Sequence, residues 1–263
     1  MKKWILPFVL VLVVLLSACS EDLSSKELYE KTSKQLESVK SYSVTGSYNR
    51  KLNNILGKDE VGMSGKSKLK MDITPKPYSA YALTKSEIIH TSSQTEHIEM
   101  ESYVTDQGSY MKLSPEEPWN KIDSEQIKMT LNFYQIPENP IEQFNKLSKF
   151  KDSFSVTADE HQYVLTLDAK GEDFKKYLQS DLKTKFSFIK NAKGLSTTEW
   201  KINDTKYIFY INKDTYNIER IKTLLDVEMD FKKEEMKVNI NTNEKITNIN
   251  KIDSIIVPDE VKR

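Results

Sequence analysis

The chain has 263 residues, 38% hydrophobic and 30% charged, with 39 Lys and Arg against 39 Asp and Glu. This balance, with the signs interleaved, excludes a nucleic-acid binder, which needs a concentrated basic face. The single cysteine excludes an intramolecular disulfide, a zinc–thiolate cluster and a CxxC redox pair, so the fold must rest on its core alone.

The N-terminus is laid out as an export signal. Lys2 and Lys3 form a basic start, Trp4 to Leu16 an apolar run containing Pro7, and Ser17-Ala18 a small-residue approach to a cut. A permanent span wants about 20 apolar residues, and this run is shorter. The segment Leu16-Ser17-Ala18-Cys19 resembles a bacterial lipobox, with cleavage between Ala18 and Cys19 and a diacylglycerol and palmitate-type acyl chain carried by Cys19. The expected location is the extracytoplasmic face of the cell membrane. Two or more acyl chains hold a protein there, where one anchors only marginally.

Residues 1–18 are thus expected to be a lipoprotein signal peptide, residues 19–23 a lipidated N-terminus and short tether, and residues 24–263 a single domain. Ser24 and Glu27 have capping-box spacing, and Leu28, Thr32, Leu36 and Val39 recur at helical spacing. A linker of about five residues reaches at most roughly 17 Å, which holds the domain close to the bilayer.

From Tyr42 the period becomes two. Tyr42, Val44, Gly46 and Tyr48 share one strand face, and Val61, Met63, Gly65, Ser67, Leu69, Met71 and Ile73 another. Pro75-Lys76-Pro77 breaks that strand, and Tyr78-Ala80-Ala82 starts the next. Ile98 to Val104 and Ser109 to Leu113 flank Asp106-Gln107-Gly108 as a hairpin. A helix capped by Asp123 or Ser124 carries Ile127, Leu131 and Phe133 or Tyr134, and Pro137 ends it. Asn139-Pro140-Ile141-Glu142 opens a second with a polar cap, a proline at its first position and an acid in its first turn.

Strands return at Phe154–Ala158 and Gln162–Ala169, followed by a helix over Glu172 to Lys183. Thr197–Ile202 and Lys206–Asn212 are expected to flank a turn at Asn203-Asp204. A long strand from Tyr216 to Phe231 is followed by a neighbour at Met236-Val238-Ile240. The expected fold class is α+β: one large, strongly curved antiparallel sheet of about ten strands, a half-barrel, with three or four helices over its concave face.

No catalytic signature accompanies this frame: there is no GxSxG elbow, no phosphate-binding loop and no GxGxxG opening a helix. His90, His97 and His161 are scattered, without the spacing of metal sites. Glu96, Glu99 and Glu101 read as oxygens on a solvated strand face. Asp226, Glu228 and Asp230 form a second acidic row for which a cross-strand partner such as Lys237 is simpler than a cation. The chain is therefore expected not to be an enzyme and to need no cofactor and no metal. The apolar face is rich in Met and aromatic residues, and Met63, Met71, Met100, Tyr163, Phe209 and Met229 are candidate liners of an apolar cavity. A filled core explains the same residues, and the sequence leaves both readings open.

Five segments carry a family resemblance: LSAC, SVKSYSVTGSY, NPIEQFNKLSKFKDSFSVTADEHQYVLTLDAKG, YIFYINKDTYNIERIKTLLDVEMDF and IIVPDEV. In this order the chain resembles the uncharacterised LolA/LppX-like lipoproteins of Gram-positive bacteria. The resemblance implies a curved antiparallel half-barrel with helices plugging its concave side. In better-understood relatives that concavity binds lipid or lipoprotein acyl chains. The soluble carriers shuttle their cargo, whereas Cys19 would tether this chain, and no binding motif transfers residue by residue. The expectation is a non-enzymatic, membrane-anchored envelope lipoprotein that holds a lipid or other apolar ligand. The alternative is an interaction or sensor module that binds another envelope protein through its surface and has a filled core.

Overall fold

A computed structural model describes residues 23–53, 63–90, 94–123, 139–168, 171–185, 200–231 and 234–262. The leader with Cys19, and the helix expected between 124 and 134, lie outside the described residues.

The first described element is helix α1, Ser25–Glu37. Its capping box forms as expected: the Ser24 hydroxyl accepts from the Glu27 amide, and the Glu27 carboxylate accepts from the Ser24 amide at 3.0 Å. Such a cap is worth about 1 kcal/mol. Six strands follow: β1 (Tyr42–Asn53), β2 (Met63–Pro75), β3 (Tyr78–His90), β4 (Thr95–Thr105), β5 (Gly108–Lys112) and β6 (Asn120–Ile122). Helix α2, Pro140–Lys146, starts where its proline and Asn139 cap put it, with Asn139 Oδ1 accepting from the amides of Ile141 and Glu142. A 3-10 helix, Ser148–Ser153, continues from it. Then come β7 (Ser155–Ala158), β8 (Gln162–Asp168), helix α3 (Glu172–Lys185), β9 (Trp200–Asn212), β10 (Ile218–Phe231) and β11 (Glu234–Thr247).

All eleven strands form one antiparallel open sheet in the order β6-β5-β4-β3-β2-β1-β11-β10-β9-β8-β7. Two meanders, β1 to β6 and β7 to β11, are zipped together where β1 pairs with β11 from Ser43↔Thr247 to Asn53↔Lys237. The sheet is mostly β and half-barrel-like, and it exceeds the expected ten strands. The additional pairing comes from β6, three residues whose sequence has no alternation long enough to announce a strand.

One expected turn and one expected strand boundary are corrected. Asn203-Asp204 does not separate two strands: β9 runs through it, and the register slips between Asp226↔Asp204 and Val227↔Ile202. The extra residue is accommodated as a bulge, with the Asn203 amide donating to Glu228 at 2.8 Å. Tyr216 does not begin β10. It lies at φ 54° in the preceding turn, where Asn212 Oδ1 accepts from the amides of Asp214 and Thr215, both at 3.0 Å.

The helices meet one face of the sheet through aromatic contacts. Tyr29 of α1 stacks on Phe144 of α2 with centroids 4.3 Å apart, and Phe144 meets Phe209 of β9 edge-on at 5.0 Å. Phe174 of α3 reaches Tyr207 at 6.1 Å. Each fully buried ring or branched side chain in this cluster contributes about 1.5–3 kcal/mol. No helix among the described residues is long and apolar enough to cross a membrane.

Candidate ligand site in the half-barrel

The register fixes which residues share the core face, because directly opposed residues of paired strands point the same way. Running across the sheet from β9 to β4, one rung reads Phe209, Ile221, Glu244, Gly46, Leu69, Thr84 and Met100. The next reads Tyr207, Thr223, Thr242, Tyr48, Ser67, Ser86 and Ile98, and the one after it Thr205, Leu225, Ile240, Arg50, Gly65, Ile88 and Glu96. On the other side of these rungs the face is more apolar: Ile246, Val44, Met71 and Ala82, then Tyr42, Ile73 and Ala80. The concave face is thus apolar at the Tyr42 end and gains hydroxyls, a carboxylate and a guanidinium along the strands.

It is also graded across the strands. On β8 to β10 it carries bulky residues such as Leu165, Leu167, Phe209, Ile211 and Ile221, all buried. On β2 to β4 it mixes large residues, Leu69, Met71, Ile73, Ile88 and Met100, with small ones, Gly65, Ser67, Ala80, Ala82, Ser86 and Ser102. A Cβ built on Gly65 would meet only one atom within 4 Å, the Glu87 carbonyl at 3.6 Å.

The polar residues on this face are strongly buried: Glu244 is 2% exposed, Thr84 3%, and Thr223 and Thr242 8% each. The three threonine hydroxyls have no hydrogen-bond partner among the described residues. Tyr48 folds back over Gly46 towards Glu244. Burial, and then the neighbouring carboxylate, push its phenol well above the usual tyrosine range. Burial pulls Arg50 down to about 10, which still leaves it a cation at neutral pH.

Of the candidate liners, Met71, Met100 and Phe209 are buried on this face. Met71 lies on β2, Met100 on β4 and Phe209 on β9, which stands four strands from β2. Tyr163 is half-buried near the start of β8, its ring parallel to Tyr216 at 6.5 Å. Met63 and Met229 lie on β2 and β10 in core-face register, and their side chains lie outside the described ones. Cys19 and Ala18 also lie outside the described residues.

The polar row was missed because β11 was expected to stop at Ile240. The alternation Val238, Ile240, Thr242, Glu244, Ile246 continues it. A signal was present: Asn and Lys fill every second position from Lys237 to Lys245.

The sheet has two neighbouring hollows. One, of about 480 Å³, is lined largely by outer-register residues including Asn49, Lys51, Leu224 and Asn241. The other, of about 590 Å³, involves Lys66, Lys68, Lys85, His97 and Glu116. Each also touches residues of the concave-face register, Arg50, Gly65, Leu225 and Ile240 in the first and Ser67, Ser86 and Ile98 in the second. The acidic row is cross-linked as expected: Glu228 pairs with Lys201 at 2.7 Å and with Lys237 at 3.5 Å. Glu99 pairs with Lys85 at 2.8 Å. Among the described residues no three His, Cys, Asp or Glu converge in a metal-holding group.

A family profile described as "Family of unknown function (DUF6612)" matches residues 24–263. The chain belongs to this family. No curated protein matches it. Among solved structures it is similar to a β-barrel-like protein of the domain of unknown function DUF1849 from Brucella abortus, with 10% identity, 80% of this chain and 99% of that chain covered, and a TM-score of 0.25. It is also similar to a DUF1329 family protein from Desulfovibrio piger, with 11% identity, 89% and 93% covered, and a TM-score of 0.25. Superposition this loose fixes neither the topology nor the function of a DUF6612 chain.

Proposed function

We propose that this DUF6612 protein is a non-enzymatic envelope lipoprotein, anchored through Cys19, whose half-barrel holds the apolar chain of a lipid against β2 to β4. The observation that carries the reading is the unequal concave face. Protein interiors are packed to crystal-like density, and the bulky residues on β8 to β10 reach it with the helices. On β2 to β4 the small residues Gly65, Ser67, Ala80, Ala82, Ser86 and Ser102 interrupt Leu69, Met71, Ile73 and Met100, and such a mixed apolar face suits an added apolar chain. The LolA/LppX resemblance supports the same occupant. Lipid extraction and native mass spectrometry of the purified protein test this. A stoichiometric lipid supports the proposal, and a ligand-free mass that takes up no added lipid overturns it.

A second reading, an interaction module with a filled core, is favoured by the aromatic packing of Tyr29, Phe144, Phe154 and Phe209. It expects crosslinking in cells to capture one specific envelope protein, unaffected by changes at Met71 and Met100.

A further inference from the structure

The outer face of the sheet sorts charges that the sequence interleaves, because alternate residues of a strand point to opposite faces. One outer rung runs Arg220, Lys245, Thr45, Lys70 and Leu83 across β10, β11, β1, β2 and β3. The next runs Lys222, Asn243, Ser47, Lys68 and Lys85, and the one after it Leu224, Asn241, Asn49, Lys66 and Glu87. These rungs hold seven cations and one acid. Glu99, the next residue beyond Lys85, pairs with it at 2.8 Å. Lys66, Lys68, Lys70 and Lys245 are exposed and have no ion-pair partner among the described residues.

Sheet stability does not ask for this arrangement. Arg220 stands directly opposite Lys245, and Lys68 directly opposite Lys85, and like charges so placed are destabilising. Elsewhere on the same face the signs are matched, as in Glu228 with Lys201 and Lys237, and Glu101 with Lys112. The cations fall on two lines. Lys66, Lys68 and Lys70 follow β2 at intervals of about 6.7 Å, and Arg220 and Lys222 follow β10, three strands or roughly 14 Å away. Between the lines, β1 and β11 present a trough of short, exposed, neutral side chains: Thr45, Ser47, Asn49, Asn241 and Asn243. Asn49 and Lys66 line both hollows of the sheet.

A partner complementary to this surface is a thin chain with repeated negative charges and hydrogen-bonding groups between them. Six of the seven cations are lysines, mobile point charges suited to phosphate oxygens, whereas the planar fork of arginine is the better grip on a carboxylate. A bilayer surface fits less well. It cannot enter a recess, and the anchor expected at Cys19 would leave the protein from α1, which packs on the opposite side of the sheet. We infer that the outer face binds a linear polyol phosphodiester, its phosphates along the lysines of β2 and its hydroxyls on the amides and hydroxyls of the trough. This surface is separate from the half-barrel interior and does not depend on a lipid there.

The test is binding of a fluorescent glycerol phosphate octamer to the full chain in nonionic detergent, followed by polarisation over a salt series. Log affinity should fall linearly with log salt, and the triple variant Lys66→Gln, Lys68→Gln, Lys70→Gln should flatten the slope by about two, at roughly 0.7 per lost contact. The triple variant Lys66→Arg, Lys68→Arg, Lys70→Arg should keep the slope, with thermal melts reporting that both fold. If the glutamine variant does not fold, Lys222→Gln with Lys245→Gln should flatten the slope by about one. Unlabelled octamer should displace the probe, and monomeric glycerol phosphate at equal phosphate concentration should not, because linked contacts act together. No binding at low salt, or a slope indifferent to these lysines, overturns the inference. Phosphatidylglycerol micelles that compete as well as the octamer overturn it in favour of a membrane surface. An oligothymidylate of equal charge that binds as tightly overturns the polyol assignment.

Discussion

Gly46 and Tyr48 lie two residues apart on one face of β1, and the tyrosine ring lies back across the glycine so closely that a Cβ on Gly46 would stand 2.6 Å from Tyr48 Oη and 3.0 Å from two ring carbons. Glycine in a strand interior normally costs stability, so its presence in the middle of a 12-residue strand needs a reason. The close approach of Tyr48, which brings its hydroxyl towards Glu244, supplies it.

Gly46→Ala should therefore destabilise the protein by about 1–3 kcal/mol, the usual range for overpacking. In a Tyr48→Ala background the same change should become neutral or slightly stabilising. Chemical denaturation of the four proteins in this double-mutant cycle measures the difference. Equal effects in both backgrounds would show that the ring does not occupy the glycine's space.

Asn139 links helix α2 to the sheet. Its Oδ1 accepts from the amides of Ile141 and Glu142 and also from the Tyr42 hydroxyl. Asn139→Ala removes the cap and leaves the Tyr42 phenol without this acceptor, for an expected loss of about 2 kcal/mol. Tyr42→Phe should cost less, about 1 kcal/mol, and the two effects should not add, because they share one contact. Thermal melts of the single and double variants check this; strict additivity would contradict the shared oxygen.

Glu228 gives a pH signature. Its hydrogen bond from Lys201, then that from Asn203, and lastly the charges of Lys201 and Lys237 lower its carboxyl to about 2. Because the folded value is depressed, the contribution of these contacts is complete above the unfolded value of about 4.3 and fades as pH falls towards 2. A carboxyl-carbon NMR titration should place the Glu228 midpoint near 2 and move it upwards in Lys201→Ala. A midpoint near that of an ordinary glutamate in the parent protein would show that the cross-strand bonds do not form in solution.

The anchor can be tested independently of the half-barrel. Cys19→Ser should move the protein from the membrane fraction to the soluble extracytoplasmic fraction, read by fractionation and immunoblotting. Unchanged membrane retention would mean that another segment or a partner holds it there.

Local structure was largely legible in the sequence, and long-range structure was not. The Ser24–Glu27 box and the Asn139-Pro140 start encode their own caps within four residues, and the period-two runs name the inward residues of β1, β2 and β10. The junction of β1 with β11 joins residues about two hundred positions apart, such as Ser43 and Thr247, and no local pattern encodes it. Asn203-Asp204 misled because the residues that favour turns also favour bulges. Glu244 and Thr242 were hidden because a carboxylate and a hydroxyl look solvent-facing until pairing places them on the covered face.

The central claim is that an apolar chain lies on the β2 to β4 part of the concave face. A photoreactive diazirine placed mid-chain in a monoacylglycerol tests it most directly, with labelled peptides located by mass spectrometry. The account predicts saturable labelling on the core face of β2 to β4, at or beside Ser67, Ala82, Ser86 and Ser102, suppressed by excess unlabelled monooleoylglycerol. Labelling confined to outer-face residues such as Lys66 and Lys85, or labelling that does not saturate, would contradict it.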